Sequence, residues 1–193
     1  MNARIAVNTL VVLALTACHT PPPAPLATCF SFEPPLTVGT TYGPPLTPGA
    51  TILTNGPLSM SIETFVQVSG NTSFNLAMIS SPPMGGNSSQ MLRANNINFK
   101  VAAVGSARLV TFDYVDLGGS ENFSVNGSAV NAAELSSLPT IISGVSIAVT
   151  QTPVFNSGGV QVGKGGKLTL QGQISQFIVG GQEFWIDNVC ATK

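Results

Sequence analysis

The sequence of 193 residues contains few charged side chains: 8% are Asp, Glu, Lys or Arg, the formal net charge is −1, and the mean hydropathy is +0.35. This balance excludes an intrinsically disordered chain, which combines low hydropathy with high charge. The lack of a basic cluster likewise argues against a nucleic-acid-binding protein. The length suffices for one domain with a hydrophobic core, and the 20 Gly and 14 Pro predict many turns and few long helices.

The first 17 residues have the pattern of an export signal. Arg4 is the only charged residue before an apolar run at residues 5–17, which is too short to span a bilayer as a mature helix. A positive start, a short apolar core and small residues before a cleavage site are typical of a signal peptide. We therefore predict that residues 1–17 are a cleaved signal peptide.

The end of this segment, Leu15-Thr16-Ala17-Cys18, resembles the lipobox of bacterial lipoproteins. The resemblance implies cleavage before Cys18, acylation of its thiol and stable attachment to a membrane. In Gram-negative lipoproteins an Asp after the cysteine tends to retain the protein in the inner membrane. Since His19 stands there, the resemblance implies the outer membrane of a Gram-negative-type bacterium. The alternative is an ordinary signal peptide with a coincidental cysteine.

A proline-rich stretch follows, and residues 20–25 include four prolines. Consecutive prolines favour extended polyproline II and form a semi-rigid spacer. We predict that residues 18–25 are a lipidated tether and that residues 26–193 are a single domain, because no further linker interrupts them.

Three cysteines are an odd number for an exported chain. If the lipid occupies Cys18, Cys29 and Cys190 remain as a pair near the two ends of the domain. An oxidising compartment permits a disulfide between them. The alternative is two buried free thiols.

Alternating apolar and polar residues recur along the body of the chain, and a period of two predicts strands with one buried face. The clearest runs are residues 58–62, 110–114, 145–150 and 167–171. Glycine pairs between the runs predict turns, and Asn126-Gly127 predicts a hairpin turn. The glycine pairs stand at residues 85–86, 118–119, 158–159, 165–166 and 180–181. A short helix is predicted near residues 132–138.

Nine to twelve short strands with regular turns predict an all-β, two-sheet antiparallel β-sandwich. A disulfide that joins the first and last strands fits a jelly roll, in which these strands can lie side by side.

Candidate catalytic residues are few. The only histidine, His19, lies in the tether, so neither a Ser-His-Asp triad nor a zinc site can be assembled, and we predict that the protein is not an enzyme. Asp113, Asp116 and Glu121 form the one concentrated acidic group. It can bind calcium, bind a polar ligand, or be solvated loop charge.

Residues 30–33 and 183–189 resemble the termini of calcium-stabilised jelly-roll modules, including many carbohydrate-binding modules. The resemblance implies that Glu33 and Asp187 help to hold a structural calcium ion, which prefers carboxylate and carbonyl oxygens. The alternative is that both are exposed acids at strand ends.

Sugar-binding modules usually present exposed aromatic rings. The candidates here are Trp185 and Tyr114, and their scarcity weakens this interpretation. The Asn-rich residues 95–98 can donate hydrogen bonds to hydroxyl groups, or can simply suit a turn. The sequence therefore predicts a membrane-anchored extracytoplasmic binding module for a glycan or envelope polymer. The alternative is a structural lipoprotein that binds another envelope protein.

Overall fold

A computed structural model describes residues 26–84 and 89–193. The predicted signal peptide, the lipidation of Cys18 and the proline-rich tether lie outside these residues, as does the predicted turn at residues 85–86. Within the described ranges, no helix is long and apolar enough to cross a membrane.

The described residues form fourteen strands and one short 3₁₀ helix, Leu135–Ser137, where the sequence predicts a short helix. The strands are β1 (Thr28–Phe30), β2 (Thr41–Tyr42), β3 (Thr51–Asn55), β4 (Leu58–Val66), β5 (Thr72–Ser73), β6 (Leu76–Ser80), β7 (Met91–Asn95), β8 (Ile97–Asp116), β9 (Glu121–Val125), β10 (Ser128–Ala132), β11 (Ile141–Ile142), β12 (Val145–Phe155), β13 (Gln161–Gly181) and β14 (Phe184–Thr192).

Two long strands, β8 and β13, form an antiparallel ribbon that folds back on itself. The ends of β8 are Ile97, which is paired with Gly181, and Asp116, which is paired with Phe184. Because only two residues separate Gly181 from Phe184, the two ends of β8 lie close together. The ribbon bends near its middle, where the pairing register shifts and Gly105 has a positive φ of 79°.

The other strands extend this ribbon into one continuous antiparallel sheet, ordered β10-β9-β13-β8-β14-β7-β6-β2. In addition, β12 pairs with the first half of β13, and β4 pairs with the first half of β8. The sheet is nearly closed and barrel-like. The all-β antiparallel prediction is confirmed, whereas the finer prediction of a two-sheet jelly roll is not, because β8 and β13 run through both halves of the sheet.

Some glycine pairs do not form the predicted turns. Residues 165–166 and 180–181 lie inside β13, where strands approach closely. A β-carbon on Gly166 would lie 1.9 Å from the backbone oxygen of Thr150, and one on Gly180 would lie 2.3 Å from that of Ile97. These glycines therefore permit close strand crossing. Asn126-Gly127 does form the predicted hairpin turn, with φ values of 50° and 89°.

The fold has two ends. The loop end comprises residues 67–69, 95–96, 117–120 and 182–183, which line two adjoining depressions. The bend end comprises the bend of the β8–β13 ribbon, residues 103–109 and 171–176, together with residues 26–28, 56–58, 126–128, 141–144 and 191–193. These segments meet there through pairs such as Leu58 with Ala103 and Thr192 with Leu109, and through the hydrogen bond from Asn126 Nδ2 to the Gln173 oxygen.

The core lies inside the folded sheet, where Phe112 stacks on Phe177 with ring centroids 5.6 Å apart. The disulfide between Cys29 and Cys190 is present, as predicted, and joins directly opposed residues of β1 and β14. The first and last described strands are therefore covalently joined.

Candidate functional site

The two candidate aromatic platforms are buried. Trp185 is 7% exposed and packs with Met91, Val115 and Val154 in a small second cluster. Its Nε1 donates to Ser80 Oγ at 3.1 Å, and the Arg93 guanidinium lies 5.1 Å from the ring centroid. Trp185 therefore presents no open face to a sugar ring.

Tyr114 lies on the inner side of the sheet and stacks on Phe184 at 6.0 Å. Its hydroxyl donates to Gln151 Oε1 at 3.1 Å. Burial, followed by the nearby carboxyl groups of Asp116 and Glu121, raises the pKa of the Tyr114 hydroxyl. This ring is likewise part of the core.

The two terminal acids, Glu33 and Asp187, have different surroundings. Glu33 accepts hydrogen bonds from the hydroxyl and backbone N–H of Ser89 and from the backbone N–H of Gln90, and these bonds lower its pKa. Asp187 is buried and pairs in register with Asp113 of β8. Because hydrogen-bond donors already contact both oxygens of Glu33, its geometry does not favour a calcium ion there.

The described residues contain no cluster of three or more His, Cys, Asp or Glu side chains that could hold a metal ion. The structural calcium therefore stays a prediction. Chelation should lower the melting temperature if Glu33 and Asp187 hold an ion, and an unchanged value would count against it.

The acidic group at residues 113–121 is divided between the two faces of the sheet. Asp113 accepts a hydrogen bond from Asn188 Nδ2 at 2.9 Å and pairs with Lys167 Nζ at 3.2 Å. Asp116 and Glu121, in contrast, are both buried and interact with each other. The structure thus brings together two of the three predicted residues.

Glu121 is completely buried at the start of β9. Burial, and then the neighbouring charge of Asp116, raises the pKa of Glu121 to about 9. Burial also raises the pKa of Asp116, although its Oδ1 accepts a hydrogen bond of 2.8 Å from the Gly118 N–H. At neutral pH Glu121 therefore keeps its proton and is uncharged.

The loop that joins these two acids, residues 117–120, forms part of the wall of a polar cleft at the loop end. The cleft consists of two adjoining depressions of about 410 and 320 Å³, which share Gly119 and Gln182. The first is lined by Asn95, Asn96, Gly118, Gly119, Gln182 and Glu183, and the second by Gln67, Val68, Ser69, Gly119, Ser120 and Gln182.

Local backbone geometry shapes the cleft. Gly119 has a φ of 104°, and a β-carbon there would lie 2.5 Å from Gln182 Oε1, so glycine lets the Gln182 side chain pass across the loop. Asn96 also has a positive φ, 50°, and its Nδ2 donates to Asn95 Oδ1 at 3.0 Å. The sequence analysis identified residues 95–98 as candidates for binding hydroxyl groups. No local pattern indicated that Gln67 and Gln182, which are distant in the sequence, line the same cleft.

The cleft can therefore offer hydrogen bonds from several side-chain amides and hydroxyls, and an amide both donates and accepts. Glu183 is its only charged lining residue among the described residues. In comparisons with known proteins, no family model, curated protein or solved structure matches this chain.

Proposed function

We propose that this protein is a lipid-anchored binding module of the cell envelope, on the outer membrane, and that it holds an uncharged, hydroxyl-rich polymer such as a glycan. The observation that carries the proposal is the loop-end cleft, where Asn95, Asn96, Gln67 and Gln182 come together from different loops. The proposed role is binding without catalysis.

The chemistry of the lining supports a neutral polyol. Each amide can accept a hydrogen bond from one hydroxyl group and donate to another. Within residues 26–84 and 89–193, no Lys or Arg lines either depression, and Glu183 would repel a polyanion. Because Trp185 and Tyr114 are buried, the polymer would bind without stacking on an aromatic ring.

The position of the chain start supports the anchored arrangement. Leu26, the first described residue, lies at the bend end, opposite the cleft. A lipid on Cys18 would lie eight residues earlier, within about 30 Å of Leu26 in a fully extended chain. An anchor at this end would leave the cleft on the side of the domain farther from the membrane.

The test is affinity electrophoresis of the detergent-solubilised full chain through gels that contain neutral polysaccharides. We expect one polymer to retard the protein, and the double substitution Asn95→Ala/Gln182→Ala to abolish the retardation. Gln171→Ala, an exposed position of β13 outside the cleft, is the matched control and should behave like the wild type. If the wild type is not retarded by any neutral polymer, or if the cleft variant is retarded as strongly, the proposal fails.

One observation favours the second candidate, an interaction with another envelope protein. Phe155 and Val160 are 52% and 60% exposed at the tip of the β12–β13 hairpin. Exposed apolar side chains of this size are typical of protein contacts when they cluster. Cross-linking in intact envelopes should then capture a defined partner in the wild type and lose it in Phe155→Ser/Val160→Ser.

A further inference from the structure

The charged residues of this domain are unevenly distributed between its two ends. None of the eight Asp and Glu residues of the sequence lies in a segment of the bend end. Arg108 and Lys193 do lie there, and both are exposed. Lys193 reaches over the bend of β8, with its Nζ 3.4 Å from the position that a β-carbon on Gly105 would take. The bend end therefore carries only positive side-chain charge.

Exposed apolar side chains occupy the same end. Leu26, Leu109 and Ile141 are 93%, 38% and 66% exposed, and they come from three separate parts of the chain. Leu26 also lines a largely apolar recess of about 220 Å³ at this end. Its lining includes Leu26, Leu58, Ala103, Ala107, Ala191 and Lys193. Apolar groups next to cations are the combination that binds the interface of an anionic bilayer.

The chain enters the domain at this surface. Leu26 is both an exposed apolar residue of the bend end and the first residue after the predicted tether. A tether of eight residues from Cys18 holds the domain within about 30 Å of its anchor point. Of the two ends of the domain, the bend end is therefore the one attached nearest to the anchor point.

We propose that the bend end is a bilayer-contacting surface, in which Leu26, Leu109 and Ile141 enter the headgroup region while Arg108 and Lys193 contact anionic phospholipid headgroups. This inference rests on the proposed membrane anchoring and deepens it. The lipid would hold the protein at the membrane, and the bend end would fix its orientation, with the polymer cleft facing outward.

The loop end offers a contrast that argues for this orientation. Glu183 lies at the cleft, and the buried pair of Asp116 and Glu121 lies behind it. Lys164 pairs with Asp116 in register at this end, but its charge is compensated by a salt bridge to Glu134. An anionic bilayer would therefore repel this end and attract the other. The orientation therefore follows from the charges of the domain itself, in addition to the tether.

The experiment uses the full chain, reconstituted into vesicles with acyl chains brominated near the headgroup, which quench tryptophan on contact. Native Trp185 is 7% exposed and serves as the constant background. Single tryptophans are introduced as Leu109→Trp and Ile141→Trp at the bend end, with Phe155→Trp as the control at an exposed hairpin tip. We expect quenching of the two bend-end tryptophans and none of the control.

Charge is tested in the Leu109→Trp protein by adding Arg108→Glu/Lys193→Glu, with Lys167→Glu as the control. In vesicles in which about a third of the lipid is phosphatidylglycerol, loss of each cation alone should weaken the contact about fivefold, and the negative charge of each new Glu should weaken it further. Raising the salt concentration should also reduce the quenching. The Lys167→Glu control should change the quenching little, because Lys167 lies outside the bend end, opposite Asp113.

The outcomes separate the two proposals. If the protein floats with the vesicles but Leu109→Trp and Ile141→Trp are not quenched more than Phe155→Trp, the anchoring stands and the bilayer-contacting surface is refuted. If quenching of the bend end is independent of lipid charge, salt and the double Glu substitution, the role of Arg108 and Lys193 is refuted. If the protein does not float with vesicles at all, the anchoring fails, and the bilayer surface fails with it.

Discussion

Removal of the disulfide between Cys29 and Cys190 should cost this domain much of its stability. The two cysteines are 161 residues apart, so the bond closes nearly the whole domain into one loop. The chain-entropy relation for a loop of this length gives about 5 kcal/mol at 25 °C, through restriction of the unfolded chain. A single domain commonly has a free energy of unfolding of about 5–15 kcal/mol. The variant Cys29→Ala/Cys190→Ala should therefore be marginally stable.

Urea denaturation, followed by the fluorescence of buried Trp185, measures this loss. For an m-value of about 2 kcal/mol/M, the midpoint should fall by about 2.5 M. The single variant Cys29→Ala and the reduced wild type should lose a similar amount, because each lacks the same cross-link. Both cysteines are only partly buried, so the substitutions themselves remove little packing. A loss below about 1 kcal/mol in all three proteins would refute the entropic reasoning.

Three further predictions concern single residues. Because the pKa of Glu121 is raised in the folded state, its contribution favours folding most below about pH 4.5 and declines as the pH rises toward 9. Between pH 4 and pH 7 this contribution should fall by about 3 kcal/mol, whereas Glu33 and Glu134, whose pKa values are lowered, change the stability in the opposite direction. The stability of the wild type relative to Glu121→Gln in urea denaturation should therefore fall by about 3 kcal/mol over this range, and a constant difference would contradict the raised pKa. Asn122→Ala should lower the free energy of unfolding by about 2 kcal/mol in urea denaturation. The Asn122 side chain accepts a hydrogen bond of 2.7 Å from the Val66 N–H and donates one of 2.8 Å to the Val66 oxygen, at the end of β4. An unchanged midpoint would show that water replaces the Asn122 side chain. Gly166→Ala should cost more than about 3 kcal/mol, because its β-carbon would lie 1.9 Å from the Thr150 backbone oxygen. Gly158→Ala is the control and should cost much less, because its β-carbon would meet only the Asn156 side-chain oxygen, at 3.3 Å, in a hairpin turn.

Local sequence signals predicted the strands well. The alternating runs at residues 58–62, 110–114, 145–150 and 167–171 all lie within strands of the structure. Alternation of apolar and polar residues indicates a strand with one buried face, and it can be recognised without knowing which strands pair with it. The disulfide was also predictable, since the lipobox resemblance left only two cysteines to pair.

It was harder to predict whether an individual side chain lies on a covered or an open face of the sheet. Trp185 lies on a strand with apolar neighbours on both sides of it, so alternation does not show which face is covered. In the structure the outer face is also covered, because Val154 and other apolar residues pack over Trp185. Glycines gave a similar ambiguity: Gly118-Gly119 forms a turn, but Gly180 serves a close crossing of strands. Both uses require a residue without a β-carbon, and the sequence alone does not separate them.

The two surfaces for which we propose functions depend on long-range topology, which a local pattern does not contain. In this region the sequence predicts a strand only at residues 110–114, yet residues 97–116 form one strand that bends at Gly105. This bend brings both ends of β8 to the loop end, beside residues 182–183, and thereby assembles the cleft. It also leaves Arg108 at the opposite end, near Lys193. The acids are spread from Glu33 to Asp187 along the sequence, and only the folded ribbon shows that all of them avoid the bend end. The separation of a polar cleft from a cationic, apolar base is therefore a property of the bend in β8, and the orientation at a membrane that we infer follows from that bend.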